Sequence, residues 1–588
     1  MGSNNRCSTY SNIITKTSAE MDLRNQMITQ SAQLRQMQFT DKVIPVVVHI
    51  MHDYSTYITR EQVMDAMRIL NEDFSKSAAD TGDVIAAFKP IAANPQIQFR
   101  LAKIDPNGNC TDGITRTYTP LTNSAGDAIK NLSRWNPSKY LNVWVVSSIA
   151  SGAGGYSFRP CPSSQIDGVV VLATQFGSIG ASSGTGLSAR SLTHEVGHYL
   201  GLPHTWGGTN TPGLPSNCTD DDGIADTPNT VGVTGQSCNT AMVSCNVLNN
   251  VQNFMDYSDC PRMFTEGQKA VMQDALETEA CRTTLWTNSN LIATGTNDGF
   301  VASVCAPIVD FNSTSSRVCQ GTQVLFYNKS YNAAIDSTWS YLWSFPGATP
   351  ATSTDENPLV TYNTPGIHSV TLTATSPGGS TTRTKASYIQ VISTSGLMAA
   401  PYRESFENTA FPASAINPNY DWELENATTI SWERTTVAST DSAASVRIRQ
   451  GFIPSGRENA LITPNIDVSN ITQPVMRFKY AYAKASPTSG SDRFRVLFSL
   501  DCGNSWTQRF NKAGTSLTTV SGDLPNFVPS SSADWKTESF SLPAAPNGYV
   551  MFRFESISEQ GNNLYLDAIR VESALVGMEQ ELTHKDLE

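Results

Sequence analysis

Residues 194–204 read HEVGHYLGLPH, a stretch that runs from His194 to His204. Helical residues four positions apart share one face, so His194 and His198 are expected to lie one turn apart. Glu195 is turned from His194 by about 100° around the helix axis. Gly201 is expected to end the helix, because glycine tolerates the left-handed conformation of a C-cap. The bend that follows brings His204 towards the two helical histidines.

Three imidazoles that converge in this way favour a zinc site held by His194, His198 and His204. Three protein ligands leave one position open for water, which is typical of a catalytic rather than a structural zinc. Zinc lowers the pKa of such a water from about 15.7 towards about 7. We therefore predict a zinc-dependent endopeptidase in which Glu195 is the general base, taking a proton from water and returning it to the leaving amine.

A second segment, residues 253–257 (NFMDY), follows the histidine motif at a distance. Together they resemble the metzincin zinc peptidases and, within them, the pappalysin (cytophagalysin) family, in which such a segment forms the Met-turn. The resemblance covers roughly residues 42–285. It implies that Met255 forms an apolar floor under the zinc and that Tyr257 lies near the metal and stabilises the oxyanion. It also implies that strand 141–146 is the cleft edge, to which substrate adds as an antiparallel strand.

Cysteines are frequent after the motif, and the chain has 11 in total. Their density favours disulfides and an oxidising compartment, and the odd count leaves at least one thiol unpaired or intermolecular. Four cysteines allow three pairings. The family resemblance implies two bonds in this region, Cys218–Cys245 and Cys238–Cys260.

An acidic run at residues 220–223 (DDDG), followed by Asp226 and Thr227, is rich in the oxygen ligands that calcium prefers. The run does not follow the EF-hand template, and a solvated acidic turn is the alternative. Members of the family bind structural calcium here, and Asp222 and Thr227 are the closest matches. The resemblance therefore implies calcium as a second metal.

The resemblance also bears on latency. Cys7 precedes Ser8 where zymogens of this branch have glycine after a cysteine whose thiolate caps the zinc. We expect Cys7 to occupy the open zinc position in a latent form, with activating cleavage near residues 35–42. A stray tail cysteine is the alternative, and Cys7 is also the natural candidate for the odd thiol.

Substrate preference is a further expectation from the family. Members of this branch often cleave before Arg or Lys, using an acidic residue at the base of the pocket. Asp259, just after the Met-turn, is the candidate for that acid, although the corresponding family segment is slightly longer. We expect a preference for Arg or Lys after the scissile bond.

Apolar periodicity predicts the secondary structure around these motifs. Strands are expected at 44–50, 97–101, 141–146 and 169–172. Helices are expected after a capping box at 59–62, at 189–201 and at 266–278. Beyond about residue 290 the sequence changes to short alternating runs separated by Gly, Pro, Ser and Thr.

The predicted architecture is multidomain: an α+β metzincin catalytic domain, with a mixed twisted sheet plus the active-site helix, followed by all-β sandwich modules. The expected segments are a pro-segment (1–41), the catalytic domain (42–290), a β-sandwich (305–393), a jelly-roll-like β domain (397–575) and a linker or tail (576–588). Residues 305–393 resemble a PKD-type Ig-like module, with 341–345 as its W-x-F strand. Residues 499–506 match an Asp-box hairpin turn, and Cys305 and Cys319 are considered as a further pair.

Charge and hydropathy limit the partners. The net charge of −12 argues against nucleic-acid binding, and no stretch approaches the roughly 18–20 apolar residues of a membrane span. We expect protein or peptide substrates, secretion to the extracellular space, and matrix or surface binding by the β modules. The tail resembles the linker before type IX secretion signals. Two other functions remain open: an adhesin with a vestigial protease domain, and a glycan hydrolase built on the β modules.

Overall fold

The computed structural model describes residue 26 and residues 40–574, apart from 57, 183, 236, 333–337, 412–420, 427–429 and 546. The expected pro-segment with Cys7 and the tail at 576–588 lie outside the described residues, apart from residues 26, 40 and 41. Within the described residues, two compact units are present: one comprises residues up to 306 together with 332, and the other comprises residues 307–331 and 338–574.

The first unit contains a mixed β-sheet. Its strands are β1 (Lys42–His52), β2 (Ile97–Leu101), β3 (Ile114–Tyr118), β4 (Leu141–Val146), β5 (Gly155–Ser157) and β6 (Val169–Leu172). The strand order is β2-β1-β4-β6-β5, and β3 pairs with β1 beyond the end of β2. Strand β5 runs antiparallel to β6 and the other pairs are parallel, which confirms the predicted mixed sheet.

Helices cover the sheet and complete the core of this unit. They are α1 (Arg60–Phe74), α2 (Gly186–Ala189), α3 (Ser191–Tyr199), α4 (Glu266–Thr278) and α5 (Asn288–Thr294), and a short hairpin joins β7 (Val243–Ser244) to β8 (Val247–Leu248). Helix α1 packs against β2 and α3, and α3 packs against β5 and β6. Val63, Val196 and Leu276, one from each of α1, α3 and α4, lie in one apolar core with the sheet. Burying each such side chain contributes about 1.5–3 kcal/mol.

The sequence analysis missed β3 and β5 and was wrong about the cleft edge. Strand β4, expected at the edge, lies between β1 and β6, and its residues are buried. A continuous apolar run buried on both faces is typical of an inner parallel strand. Within the described residues, β5 ends the sheet on this side. It is short and begins with glycine, so it lacks a strand signal in the sequence.

Helix α1 begins as predicted but uses its glutamine differently. Oγ1 of Thr59 accepts a hydrogen bond from the Gln62 backbone N–H at 3.1 Å. Instead of completing a capping box, Nε2 of Gln62 donates to the carbonyl oxygens of Ala173 and Phe176, at 3.0 and 2.9 Å. Gln62 therefore ties α1 to the segment that follows β6.

Disulfides join ten of the 11 cysteines. The bonds are Cys110–Cys305, Cys161–Cys281, Cys218–Cys245, Cys238–Cys260 and Cys319–Cys502. The pairing of Cys305 with Cys319 is therefore wrong. The Cα atoms of each bonded pair lie 5.2–5.6 Å apart, and this proximity in the fold, not spacing along the chain, decides which cysteines pair.

The second unit begins with a sandwich of two sheets, as expected for the PKD-type module. Its strands are β9 (Phe311–Ser313), β10 (Arg317–Cys319), β11 (Thr322–Asn328), β12 (Ser340–Ser344), β13 (Ala348–Thr349), β14 (Thr352–Ser353), β15 (Leu359–Tyr362), β16 (Gly366–Ser376) and β17 (Gly379–Ile392). The sheets have the orders β10-β17-β16-β12-β14 and β13-β15-β11-β9. Trp343 is fully buried between them against Phe311 and Phe345.

The rest of the second unit is also all-β. Its strands are β18 (Met398–Ala399), β19 (Tyr402–Glu404), β20 (Glu423–Glu425), β21 (Glu433–Thr435), β22 (Ser445–Arg449), β23 (Glu458–Ile462), β24 (Ile466–Asp467), β25 (Pro474–Tyr482), β26 (Arg493–Ser499), β27 (Thr507–Ala513), β28 (Lys536–Ser541), β29 (Tyr549–Ile557) and β30 (Asn563–Ser573). One sheet is centred on β29 and the other on β30. The Asp-box forms the turn from β26 to β27, where Oδ1 of Asp501 accepts the Ser505 backbone N–H at 2.8 Å.

None of the helices in the described part of the chain is long and apolar enough to cross a bilayer.

A buried ion pair anchors the end of α3. The guanidinium of Arg282 donates to both carboxylate oxygens of Asp167, at 2.6 and 2.7 Å, and its Nε donates to the carbonyl oxygen of Tyr199 at 3.2 Å. The side chains of Arg282 and Asp167 are 0% and 2% exposed. Because neither charged group is solvated by water, each is stabilised by the opposite charge of the other.

We predict that Asp167→Ala destabilises the catalytic domain by about 3–5 kcal/mol, because it leaves a buried guanidinium without its counter-ion. Glu72→Ala is the control: it removes one of the two carboxylate partners of Arg68, whose side chain is 51% exposed, and should cost less than about 1 kcal/mol. Differential scanning calorimetry measures both. Equal shifts in the Tm of the first unit would contradict the role of the Arg282–Asp167 pair.

Candidate metal centre

Helix α3 carries the motif through the interior of the first unit. Its residues are all buried, and its end is set by two backbone hydrogen bonds. The Gly201 N–H donates to the His198 carbonyl oxygen at 2.9 Å, and the Leu202 N–H donates to that of Gly197 at 3.0 Å. Gly201 has a φ of +105°, which glycine adopts without steric cost. The chain therefore turns sharply enough for His204 to meet the helix.

The three histidines converge on one point. Nε2 of His198 lies 3.1 Å from Nε2 of His194 and 3.2 Å from Nε2 of His204. All three rings are buried, and their ligand atoms lie within 4.8 Å of one another. Tetrahedral zinc with Zn–N bonds of about 2.0–2.1 Å separates its nitrogen ligands by about 3.3–3.4 Å. The spacing of the imidazoles therefore fits a single zinc ion.

Hydrogen bonds on the far side of the rings set their tautomers. Nδ1 of His194 donates to the carbonyl oxygen of Phe254 at 2.7 Å, and Nδ1 of His198 donates to that of Leu202 at 2.7 Å. A proton on Nδ1 leaves the lone pair on Nε2, facing the other rings. Burial lowers the pKa of His194 to about 4 and takes the pKa values of His198 and His204 well below their usual range. The rings are therefore neutral at neutral pH, as metal ligation requires.

Glu195 is buried on the side of α3 that faces β5. Oγ of Ser157 lies 2.7 Å from the Glu195 backbone oxygen and 3.1 Å from its Oε2. A Cβ added to Gly155 would lie 2.9 Å from Cγ of Glu195. Only a residue without a side chain leaves room there, so the edge strand passes directly beside the carboxylate.

The Met-turn lies beneath the helix. Met255 is fully buried, and a Cβ added to Gly197 would lie 2.4 Å from its Sδ. Oδ1 of Asn253 accepts the Met255 backbone N–H at 2.9 Å. The Asn253 side-chain amide also exchanges two hydrogen bonds with that of Gln268 on α4, at 2.9 and 3.0 Å. The sulfur therefore rests against the helix at the residue just before His198, and α4 holds the turn in place.

Aromatic rings enclose His204. Trp206 stacks on it, with ring centroids 4.3 Å apart and an interplanar angle of 8°. The hydroxyl of Tyr257 lies 3.1 Å from Nε2 of His204. The rings of Trp206 and Tyr257 meet edge to face at 4.8 Å. Tyr257 is therefore the phenol nearest to the point where the imidazoles converge, among the contacts of the described residues.

Asp256 connects the Met-turn to the loop that carries the third histidine. Its Oδ1 accepts the backbone N–H groups of Val233 and Tyr257, at 3.0 and 2.6 Å, and its Oδ2 accepts from Oγ1 of Thr205 at 3.2 Å. Burial raises the pKa of Asp256 to about 6. This carboxylate thus positions residues on both sides of the centre.

The remaining predicted residues lie in the surrounding loops. Oγ1 of Thr227 donates to the buried carboxylate of Asp222, with distances of 2.7 and 2.8 Å to its two oxygens. Burial raises the pKa of Asp222 well above its usual range. Asp259 is exposed, and a Cβ added to Gly186 would lie 2.2 Å from its Oδ1. The structure therefore brings Asp222 and Thr227 together and leaves Asp259 at the surface beside α2.

Sequence reasoning missed several residues that support the centre. Ser157 and Gly155 carry no motif, because β5 itself carries no strand signal. Asn253 belongs to the Met-turn segment, and Gln268 forms a capping box with Thr265 at the start of α4. Their pairing is a tertiary contact, which the sequence does not indicate. Asp73 accepts a hydrogen bond from Oγ1 of Thr193 at 2.7 Å, and α1 thereby contacts the first turn of α3, just before His194.

We predict that Gly197→Ala lowers both stability and zinc content, because the added methyl group displaces the buried Met255 sulfur; overpacking costs about 1–3 kcal/mol. Met255→Val removes the Sδ atom, so the double variant should recover part of the loss. Zinc content by elemental mass spectrometry and the Tm measure this coupling. If the double variant loses as much zinc and stability as the two single variants added together, the contact between Gly197 and Met255 is contradicted.

Comparisons with known proteins agree with this geometry. A sequence profile described as pregnancy-associated plasma protein-A, the pappalysin peptidase family, matches residues 123–277, and a PKD domain profile matches residues 304–391. An extracellular metalloprotease of Verticillium alfalfae is 30% identical over 227 residues, 36% of this chain and 67% of that protein. One of Colletotrichum graminicola is 29% identical over 247 residues, 39% of this chain and 74% of that protein.

Among solved structures, mature mirolysin of Tannerella forsythia in complex with a cleaved peptide is 33% identical to this chain. The alignment has a TM-score of 0.40 and covers 44% of this chain and 99% of that one. The buried triad of neutral imidazoles, the Met-turn below it and the identity to curated metalloproteases lead to the same assignment. This chain belongs to the pappalysin family of zinc metallopeptidases and carries a PKD module.

Proposed function

We propose that His194, His198 and His204 hold the catalytic zinc of this endopeptidase and that Glu195 is its general base. The observation that carries the proposal is the convergence of three neutral Nε2 atoms close to a buried carboxylate. When bound, zinc supplies Lewis-acid chemistry that activates water and polarises a peptide carbonyl.

Two side chains of the protein, Glu195 and Tyr257, would transfer protons and stabilise the charge that develops on the substrate. The Glu195 carboxylate accepts a proton from the attacking water and delivers it to the nitrogen of the leaving amine. The hydrogen bond from Ser157 supports this role, because it limits the rotation of the carboxylate. Tyr257 donates its phenolic proton in a hydrogen bond to the carbonyl oxygen of the substrate as negative charge develops there.

Substrate would bind along β5 as an additional antiparallel strand. An extended peptide can pair with the backbone N–H and C=O groups of the strand that ends a sheet. Strand β5 supports this role better than β4, because β5 ends the sheet and passes beside Glu195. A peptide laid along it would have its backbone close to the general base.

Asp259 would favour Arg or Lys after the scissile bond. Its exposed carboxylate beside Gly186, near the Met-turn, supports contact with a basic side chain. An Asp259→Asn enzyme that cleaves before Arg and Lys as selectively as the wild type would contradict this assignment.

The enzyme would be made as a zymogen in which the Cys7 thiolate occupies the open zinc position. The Arg6-Cys7 sequence and the odd cysteine count support this; Cys7 itself lies outside the described residues. A Cys7→Ala chain that stays as latent as the wild type before cleavage would rule it out.

Calcium would stabilise the loop of Asp222 and Thr227. A buried carboxylate whose pKa is raised by desolvation would be stabilised by a cation, and oxygen-rich turns suit calcium. A wild-type Tm that does not rise when calcium is added would exclude this role, and so would an equal rise in the wild type and in Asp222→Ala.

Secretion to the extracellular space would complete this function. The disulfides and the names of the curated relatives support it, and the tail resemblance would make type IX secretion the route. The β modules would hold the protease on a matrix or surface. Cell fractionation that leaves the protease in the cytoplasm would contradict this localisation.

We predict that Glu195→Gln lowers kcat by at least about 100-fold while zinc content stays the same, because general acid–base catalysis contributes about 100- to 10,000-fold and glutamine keeps the shape of the side chain. A quenched fluorescent peptide and elemental analysis measure the two quantities. The control Glu72→Gln, at a partly exposed residue of α1, should behave as the wild type.

Full activity in Glu195→Gln would show that another group is the base. Cleavage by the wild type that persists after zinc is removed with a chelator would contradict the zinc mechanism itself.

A further inference from the structure

A cavity of about 460 Å³ lies in the first unit between α1, β2 and the segment that follows α5. Met64 and Met67 on α1, Phe99 on β2 and Phe300 after α5 supply most of its apolar wall. Ligand-binding pockets typically measure about 300–1,000 Å³ and are lined mainly by apolar side chains. The cavity therefore has the size and the lining of a small-molecule site, and none of the residues predicted for the metal centre contributes to it.

Hydrogen bonds between the three segments hold the walls of the cavity in place. The Asn71 side chain accepts the Phe99 backbone N–H at 2.8 Å and donates to the Phe99 carbonyl oxygen at 3.0 Å. The guanidinium of Arg100 donates to the carbonyl oxygen of Thr296 at 2.8 Å. The first contact joins α1 to β2 and the second joins β2 to the segment after α5, so the cavity is part of the folded framework.

The charged side chains that line the cavity are all cations, although the chain as a whole has a net charge of −12. Two of these cations already have partners. Arg68 pairs with two carboxylates of α1, and Arg100 pairs with Asp298. Lys103 differs from them, because no acceptor among the described residues lies within hydrogen-bond or ion-pair distance of its ammonium group.

The ammonium group of Lys103 is poorly solvated and has no direct counter-ion. Burial lowers its pKa. Asp112 and Arg60 act on it from a distance with opposite effects, and they pair with each other, with Oδ2 of Asp112 3.7 Å from Nε of Arg60. A cation that has lost water without gaining a partner is stabilised by an anion that approaches it.

We propose that this cavity binds a long-chain carboxylate such as a free fatty acid, with the carboxylate paired to Lys103 and the alkyl chain along the apolar wall. An uncharged apolar ligand would leave the ammonium group unpaired, and a small polar anion would leave the methionine and phenylalanine side chains in contact with water. An apolar chain with one negative end satisfies both parts of the cavity. The inference does not depend on the proposed function, because the cavity and the metal centre share no residue.

Isothermal titration calorimetry on the full zinc-containing chain tests the proposal with hexanoate, octanoate and decanoate, each below its micelle concentration. Affinity should rise about fourfold for every added methylene that the cavity buries, the fold-change that corresponds to about 0.8 kcal/mol. Decanol should bind at least about tenfold more weakly than decanoate, because hydrogen bonds between charged groups are stronger than those of a neutral hydroxyl. Decanoate should also raise the Tm of the first unit, since it binds the folded state.

Two variants locate the ligand. Lys103→Met keeps the length of the side chain and removes its charge, so it should weaken decanoate binding about tenfold and leave decanol binding unchanged. Met64→Glu adds a negative charge to the apolar wall at a side chain that is 43% exposed, so it should weaken decanoate binding while the protein remains folded. Lys139→Met is the matched control, at an exposed lysine outside the cavity, and should bind decanoate as the wild type does. The Tm of each variant without ligand checks its folding.

Equal affinity for decanoate in the wild type and Lys103→Met would overturn the inference, and so would affinity that does not depend on chain length. Competitive inhibition of peptide cleavage that persists in Lys103→Met would place the carboxylate at the metal centre and would overturn it too. Decanoate binding that appears only after residues 1–41 have been cleaved off would assign the cavity to the chain's own N-terminal segment, which is a different occupant from the one proposed.

Discussion

Three imidazole lone pairs facing one another inside a protein repel, and the rest of the catalytic unit is organised around that repulsion. Neutral rings with Nε2 atoms 3.1 and 3.2 Å apart gain nothing from their proximity until a cation lies between them. Burial makes protonation costly, so relief by titration is suppressed near neutral pH. Binding of a zinc ion therefore contributes directly to the stability of this region.

Two sets of contacts hold the rings against this repulsion. The backbone carbonyl oxygens of Phe254 and Leu202 accept hydrogen bonds from the Nδ1–H groups of His194 and His198, and they belong to the Met-turn and to the bend after α3. Below the helix, Met255 fills the space that Gly197 leaves. The contacts of Phe254 and Met255 cross between segments far apart in sequence, so the site forms only once the first unit has folded.

The site was more predictable from sequence than the sheet around it. A helix with histidines four residues apart and a glycine bend is local geometry, so the convergence of His194, His198 and His204 could be predicted directly from the sequence. The bounds of α4 were predicted correctly as well, because its apolar residues recur at helical spacing. Strand β5 could not be predicted from the sequence, since three residues that include a glycine give no periodicity. Its place at the edge depends on pairing with β6.

That missed strand matters for function, because it carries Gly155 and Ser157 beside Glu195, the proposed general base. The expectation that residues 141–146 form the cleft edge came from family resemblance, while the residues themselves indicated the opposite. A continuous buried run such as Leu141–Val146 has both faces covered. Cys305 shows the same limit, because its partner, Cys110, is 195 residues away in the sequence.

X-ray absorption at the zinc edge, on the activated wild-type protein, identifies the atoms that bind the metal. We expect one zinc per chain, bound by three imidazole nitrogens and one further light atom, with no sulfur. A sulfur ligand in the activated form, fewer than three imidazoles, or no bound zinc would contradict it.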